Sequence, residues 1–260
     1  MSRPRSLNAR LTAPLVRLEL RRAWRDPVLL FFVVVLPLVC YLGFGAVLPL
    51  DSLPGVDGGL LNTSLMVGLA GYGAATAAAT ITGQAAVERL QGWGRQLALT
   101  PAGDTGYATA KAVVASVVAC LPIGLTFAAG AATGVRLPWW GWCGSALVLA
   151  TGSAMWAGYG LAVGLTGRSQ SALAIASGGL VLFSFMGGVY LPLTGQLLSL
   201  GRWTPLYGYV TLARWPATGG QSPLLGEPSD QLGMAVMNCL LWTMAFVAVA
   251  GRQVSASRAR

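Results

Sequence analysis

Histidine is absent from the 260 residues, and charged residues make up only 10% of them. Without histidine there is no Ser/His/Asp triad, no imidazole general base and no histidine-ligated metal. The four cysteines, Cys40, Cys120, Cys143 and Cys239, are far apart and fall in or beside apolar runs. They form no CxxC or metal spacing and read as small packing residues. Lysine occurs once, as Lys111, so sixteen of the 17 basic residues are arginine. No Gly-x-x-x-x-Gly-Lys-Ser/Thr loop is found, so nothing here would cradle a nucleotide phosphate in the usual way.

What fills the chain instead is apolar: 55% of residues are hydrophobic and the mean hydropathy is +0.64. A soluble domain carries about 25% charged residues. This chain has too few to cover a globular surface and reads as an all-α integral membrane protein. A crossing takes about 20 apolar residues. Six runs qualify, at about 28–50, 60–83, 107–133, 143–166, 171–191 and 232–250. They form one transmembrane domain over 28–250, preceded by segment 1–27 and followed by a tail at 251–260. The first run begins only after 27 residues and is too long for the core of a signal peptide, so it is expected to stay as a span.

The charges orient the runs. Fourteen of the 17 basic residues fall before the first run, between the second and third, between the fourth and fifth, or after the sixth; only Arg136, Arg202 and Arg214 fall on the other side. By the positive-inside rule both termini are cytoplasmic, which requires an even number of spans. No carboxylate sits in the middle of a run. A basic balance of this distribution fits anionic lipid and not nucleic acid.

Three segments stand out between or beside the spans. In 7–25, Arg10, Arg17, Arg21 and Arg25 share one helical stripe, and Leu11, Leu15 and Leu18 another, with Leu20 and Trp24 beside it. This predicts an amphipathic helix in the inner interface, broken by Asp26-Pro27. It is either a lipid anchor or a docking surface. Between the second and third runs, Val87, Leu90, Trp93 and Leu97 recur at helical spacing, which predicts a short helix from Glu88 to Leu99 across the inner face. The outer stretch 191–231 is too apolar for a solvated loop and contains Pro192, Pro205, Pro216, Pro223 and Pro228. Short pieces dipping back into the membrane would account for it, given protein cover for their backbone. Gly160-x-x-x-Gly164 and Gly130-x-x-x-Gly134 permit close helix approach. Gly187-Gly188 interrupt the fifth run.

With these residues in view, the chain resembles the ABC-2 family of ABC transporter permeases, most of all the daunorubicin-resistance type of exporter membrane subunit. Three pieces carry the resemblance: Leu18-Glu19-Leu20-Arg21-Arg22 through Arg25-Asp26-Pro27, running into Leu36-Pro37-Leu38; Glu88-Arg89 with Gly92, Arg95, Leu97 and Thr100-Pro101; and Leu191-Pro192-Leu193 with Arg202, Thr204-Pro205-Leu206-Tyr207 and Leu212. The family often has a second acid after the Glu-Arg pair, where this chain has Leu90. The resemblance implies a permease in a bacterial cell (inner) membrane that is not an enzyme. ATP and Mg would be bound by a separate cytoplasmic ATPase, present in two copies beside two permeases, identical or paralogous. It implies that Arg17, Arg21, Arg25, Glu88, Arg89, Gly92, Trp93, Arg95, Thr100 and Pro101 couple to the ATPase. A substrate pathway would run along the first, second and fifth spans past Tyr41, Phe44, Tyr72, Phe183, Phe185 and Met186. Pro192, Arg202, Thr204, Pro205 and Tyr207 would form an outer gate. No cofactor or metal is expected on this chain. The cargo class (drug, antibiotic or lipid-like compound) stays open, as does a sensor or immunity role without net transport. Ion-coupled secondary transport has less support, since it generally needs carboxylates within the spans.

Overall fold

The computed structural model describes residues 5–88, 91–92, 103–167, 169–225 and 231–258. Arg89, Trp93, Arg95, Thr100 and Pro101 lie outside the described residues. Among the described residues the protein is helical throughout apart from one bridge, Val56 to Leu224. The elements are α1 (Arg5–Trp24), α2 (Pro27–Val47), α3 (Gly58–Glu88), α4 (Gly103–Ala132), α5 (Trp139–Gly167), α6 (Gln170–Met186), α7 (Gly195–Gly201), α8 (Pro205–Thr218) and α9 (Leu232–Arg258).

The stop between α1 and α2 is made as expected. The Asp26 carboxylate accepts the Leu29 amide at 2.9 Å, and Pro27 takes the first helical position, where its missing N–H costs nothing. Within α2, π-turns at Phe31–Val35 and Leu42–Val47 flank the α-helical turns around Pro37. Pro37 has no amide, so the Val33 carbonyl one turn earlier loses its helical partner. That carbonyl lies against Gly73 of α3, so close that a Cβ there would sit 2.7 Å from it.

Among the described residues, five helices contain stretches long and apolar enough to cross a membrane: Pro27–Val47, Gly58–Glu88, Tyr107–Ala132, Trp139–Gly167 and Leu232–Gln253. The fifth expected run is different. Its helix, α6, stops at Met186, five residues short of the expected end at Leu191. Gly188 takes φ +62, Gly188 donates to the Phe185 carbonyl and Val189 to the Ser184 carbonyl. This is a left-handed helix cap that glycine adopts without steric cost. Apolarity continues past Met186, which is why hydropathy alone overran the end.

The centre of the bundle is α3. Its most apolar stretch is 94% buried, against 17% for that of α9. A helix apolar on every side is enclosed on every side, and α3 is contacted by α2, α4, α5, α6 and α8. Glycine makes the closest contacts. A Cβ on Gly160 of α5 would sit 2.1 Å from the Ala79 carbonyl, and one on Gly164 2.5 Å from the Gly83 carbonyl. The Thr82 hydroxyl fills the remaining gap by donating to the Ala157 carbonyl at 2.9 Å. The expected glycine packing motif is therefore the α3–α5 seam.

The proline-rich stretch forms a helical hairpin, α7 and α8. Its turn is fastened to α9: the Arg202 carbonyl accepts from the Asn238 amide at 2.8 Å, and the Trp203 carbonyl from the Trp242 indole at 2.9 Å. Trp242 lies ten residues into α9, about 15 Å along it at ~1.5 Å per residue. From there α8 runs between α5 and α3. Tyr209, completely enclosed, donates to the Leu149 carbonyl at 2.7 Å.

Candidate functional site

One end of the bundle holds a compact ionic cluster. Glu88 closes α3, Tyr107 and Lys111 stand on the first turns of α4, and Glu19 and Arg22 project from α1. The Lys111 ammonium lies 2.7 Å from Glu19 and 3.0 Å from Glu88. Glu88 also accepts from the Tyr107 hydroxyl and the Arg22 guanidinium. The Lys111 side chain is only 4% exposed, and those of Glu19 and Glu88 are 13% and 15% exposed. Three elements distant in sequence are thereby joined through one lysine.

The local reasons are visible in α1. Val16, Leu20 and Ala23 turn towards the bundle and pack on the core, and Glu19 shares that face. Arg17, Leu18, Arg21, Trp24 and Arg25 lie on the opposite face and are exposed. The helix is thus two-sided, but Leu18 and Trp24 stand with the arginines and away from the core. The apolar face predicted from the leucine stripe is rotated accordingly. At Arg22, burial alone would lower the pKa. The charge and hydrogen bond of Glu88 outweigh this, with Glu19 and Tyr107 adding, so the guanidinium is held above its usual value. A raised value in this range leaves the contact intact at every physiological pH.

Of the residues expected to couple to an ATPase, Arg17, Arg21 and Arg25 are exposed together on α1, while Glu88 is turned into the cluster. Gly92 takes φ +100. α3 is described as far as Glu88, and most of the expected Glu88–Leu99 helix lies outside the described residues. Sequence reasoning passed over Glu19, Arg22, Tyr107 and Lys111. The available signal was a single lysine at the start of an apolar run, in a chain that otherwise uses arginine.

The aromatic residues expected along a pathway separate into two groups. Tyr41 is fully buried, donating to Asn62 at 3.0 Å and sharing a 2.8 Å hydrogen bond with Thr133. Tyr72 is buried as well, and Phe183 packs edge-on against Tyr159. Phe44 and Phe185 are exposed, and both rings pack on Tyr190, at 6.4 and 4.8 Å. Met186 ends α6 with its carbonyl against Gly201. Within one chain, then, only Phe44 and Phe185 of this set present an open aromatic surface.

At the opposite end from the ionic cluster, Pro192, Arg202 and Tyr207 line a cavity of about 60 Å³ together with Ser64 and Arg214. Arg214 was not expected there. It donates to the Ser64 carbonyl at 3.0 Å and the Gly188 carbonyl at 2.8 Å, tying α8 to α3 and to the end of α6. Thr204 and Pro205 serve the helix start: the Thr204 hydroxyl accepts the Tyr207 amide, and Pro205 occupies the first turn.

Among the described residues, five long apolar helices, one of them the enclosed α3, with an ionic cluster at one end, define a multi-pass integral membrane protein. Among the described residues no cluster of three metal-binding side chains occurs. The chain belongs to the ABC-2 type transporter family, whose model matches residues 11–225. It is similar to "Putative transport permease YvfS" of Bacillus subtilis (strain 168), at 30% identity over 140 residues. That match covers 52% of this chain and 57% of the relative, so the chain spans little more than half the relative's length.

Proposed function

We propose that this chain is the membrane permease of an ATP-driven exporter resembling the daunorubicin-resistance type. It works with two copies of a separate cytoplasmic ATPase that bind ATP and Mg, and with a second permease, identical or paralogous. Both termini face the cytoplasm of a bacterial cell. The α6 helix, continued by 187–194, serves as the fifth of six crossings, and the α7–α8 hairpin dips back from the outer side. The cargo is an amphiphilic or aromatic compound, which suits the exposed Phe44–Tyr190–Phe185 surface.

The observation that carries this reading is the latch between α1 and the bundle. Arg17, Arg21 and Arg25 offer a basic face on one side of α1, and Glu19 and Arg22 engage Lys111 and Glu88 on the other. A push on α1, or on the chain that follows Glu88, is delivered through this cluster to the ends of α3 and α4. ATP closure of the partner would then bias which of two bundle arrangements is populated. Mild-detergent purification of the tagged chain from its native membrane, with mass spectrometry of what accompanies it, tests the reading. A stoichiometric partner carrying a phosphate-loop motif, and ATP-dependent uptake into inverted vesicles, are the expected results. A chain that purifies alone from every detergent would overturn it.

A further inference from the structure

A large opening borders the ionic cluster on its bundle side. A crevice of about 840 Å³ separates α3, α4, α5 and α9. Its walls are built from small side chains, among them Ala78, Ala112, Ala115, Ala150, Ala154 and Gly158. Nothing in this stretch of the chain is large enough to fill it. A volume of this order, mostly apolar with a few polar groups, is typical of a ligand site.

Its dimensions and polarity identify the occupant. Along α4 the lining runs from Tyr107 to Ser116, and along α5 from Ala150 to Leu165. At ~1.5 Å per residue these are about 14 and 22 Å. The hydrocarbon of one leaflet is about 15 Å deep, half of a ~30 Å core. The crevice thus reaches from one end of the bundle to about its middle. It is continuous with the lipid-facing surface, since Val113, Val117, Met244 and Val247 on its flanking helices are all exposed. At one end stand Tyr107 and Lys111, and Gly251 of α9 lines it beside the exposed Arg252. Arg22, its side chain 60% exposed, lies at the same end through its contact with Glu88. Lys111 and Arg22 are balanced there by Glu19 and Glu88, so the exposed Arg252 supplies the net positive charge at this end, and hydrocarbon walls beside it complement an anionic head above an alkyl chain.

We infer that this crevice holds one acyl chain of an anionic phospholipid drawn from the leaflet on the Glu88 side. The site is independent of ATP and of cargo. Because its walls belong to α3, α4, α5 and α9, the chain fills the gap beside the same α4 turns that carry the ionic cluster.

The test uses the full chain in phosphatidylcholine nanodiscs containing a trace of phosphatidylglycerol with a diazirine in its acyl chain. After illumination, labelled peptides are mapped by mass spectrometry. Labelling of 107–116 and 150–161 is expected to exceed that of the exposed α2 face around Val35 and Val39 by about tenfold. Ala112→Phe and Ala154→Phe, both at exposed positions on the crevice wall, should each abolish the excess and leave the α2 labelling unchanged, which also reports that each variant is folded. Equal labelling of crevice and α2 peptides would overturn the inference. So would an excess that survives both substitutions, or a phosphatidylcholine probe that labels the crevice as strongly.

Discussion

Replacing Lys111 by methionine removes the cation that, among the described residues, touches both Glu19 and Glu88. The two carboxylates are 13% and 15% exposed, so these contacts belong with buried pairs and not with surface salt bridges. Breaking a buried pair from one side costs about 3–5 kcal/mol, because the other charge stays behind without compensation. Arg22 still reaches Glu88, which favours the lower end, about 3 kcal/mol. At about 2–4 °C per kcal/mol for a chain of this size, the apparent Tm should fall by roughly 6–12 °C. Heating detergent-solubilised protein and following the monodisperse peak by size exclusion reads this directly. A second readout isolates the latch: spin labels at the exposed positions Ala13 and Ala108 should show a broadened α1–α4 distance in Lys111→Met. Adding Glu19→Leu and Glu88→Gln to the same chain should restore most of the lost Tm, since no buried carboxylate is left stranded and the remaining Arg22 is 60% exposed to solvent. A Lys111→Met protein that melts within about 2 °C of the parent, with an unchanged distance, would refute the reasoning.

Gly160→Leu should abolish recovery of monodisperse protein, whereas Gly178→Ala, where a Cβ meets nothing within 4 Å, should leave it unchanged; equal yields would mean the α3–α5 seam is not close-packed. Gly92→Trp forces a bulky residue to φ +100, at a cost of about 1–3 kcal/mol, and should let the partner hydrolyse ATP without transport; normal coupling would remove this turn from the coupling path. Asn238→Leu leaves the Arg202 carbonyl without its donor and should destabilise the protein by about 1–3 kcal/mol in the same melting assay, while an unchanged Tm would show that the hairpin turn is satisfied by other means. Impermeant labelling of whole cells should miss a tag at either terminus, and an accessible C-terminus would mean an odd number of crossings.

The long helices were legible because their signal is redundant. Some twenty apolar residues in a row admit few alternatives, and Asp26-Pro27 marked the first start on its own. The end of α6 was not legible in hydropathy, because Val189, Tyr190 and Leu191 are as apolar as the helix before them. Only the Gly187-Gly188 pair carried the stop. A break in the outer stretch could be suspected from its prolines, but the placement of the hairpin turn depends on Asn238 and Trp242, two side chains some forty residues later. The ionic cluster was hidden for the same reason. Glu19, Glu88 and Lys111 are separated by long intervals, and single charges at helix ends look like solvated surface until the fold brings them together. Tyr41 and Tyr72 illustrate the converse: an aromatic in a span reads equally as wall or as packing, and both are buried within this chain.

The hairpin's dependence on α9 has a consequence for how the molecule can move. The carbonyls of its turn are held by the Asn238 amide and the Trp242 indole of α9. Arg214 adds a clamp from α8 onto α3 and onto the Gly188 carbonyl just past α6. The upper halves of α3, α8 and α9 and the end of α6 are therefore fastened as one block. Any opening on that side must carry α9 along as a passenger, and the hinges must lie elsewhere, in the π-turns of α2 on one side and the Glu88 end of the bundle on the other.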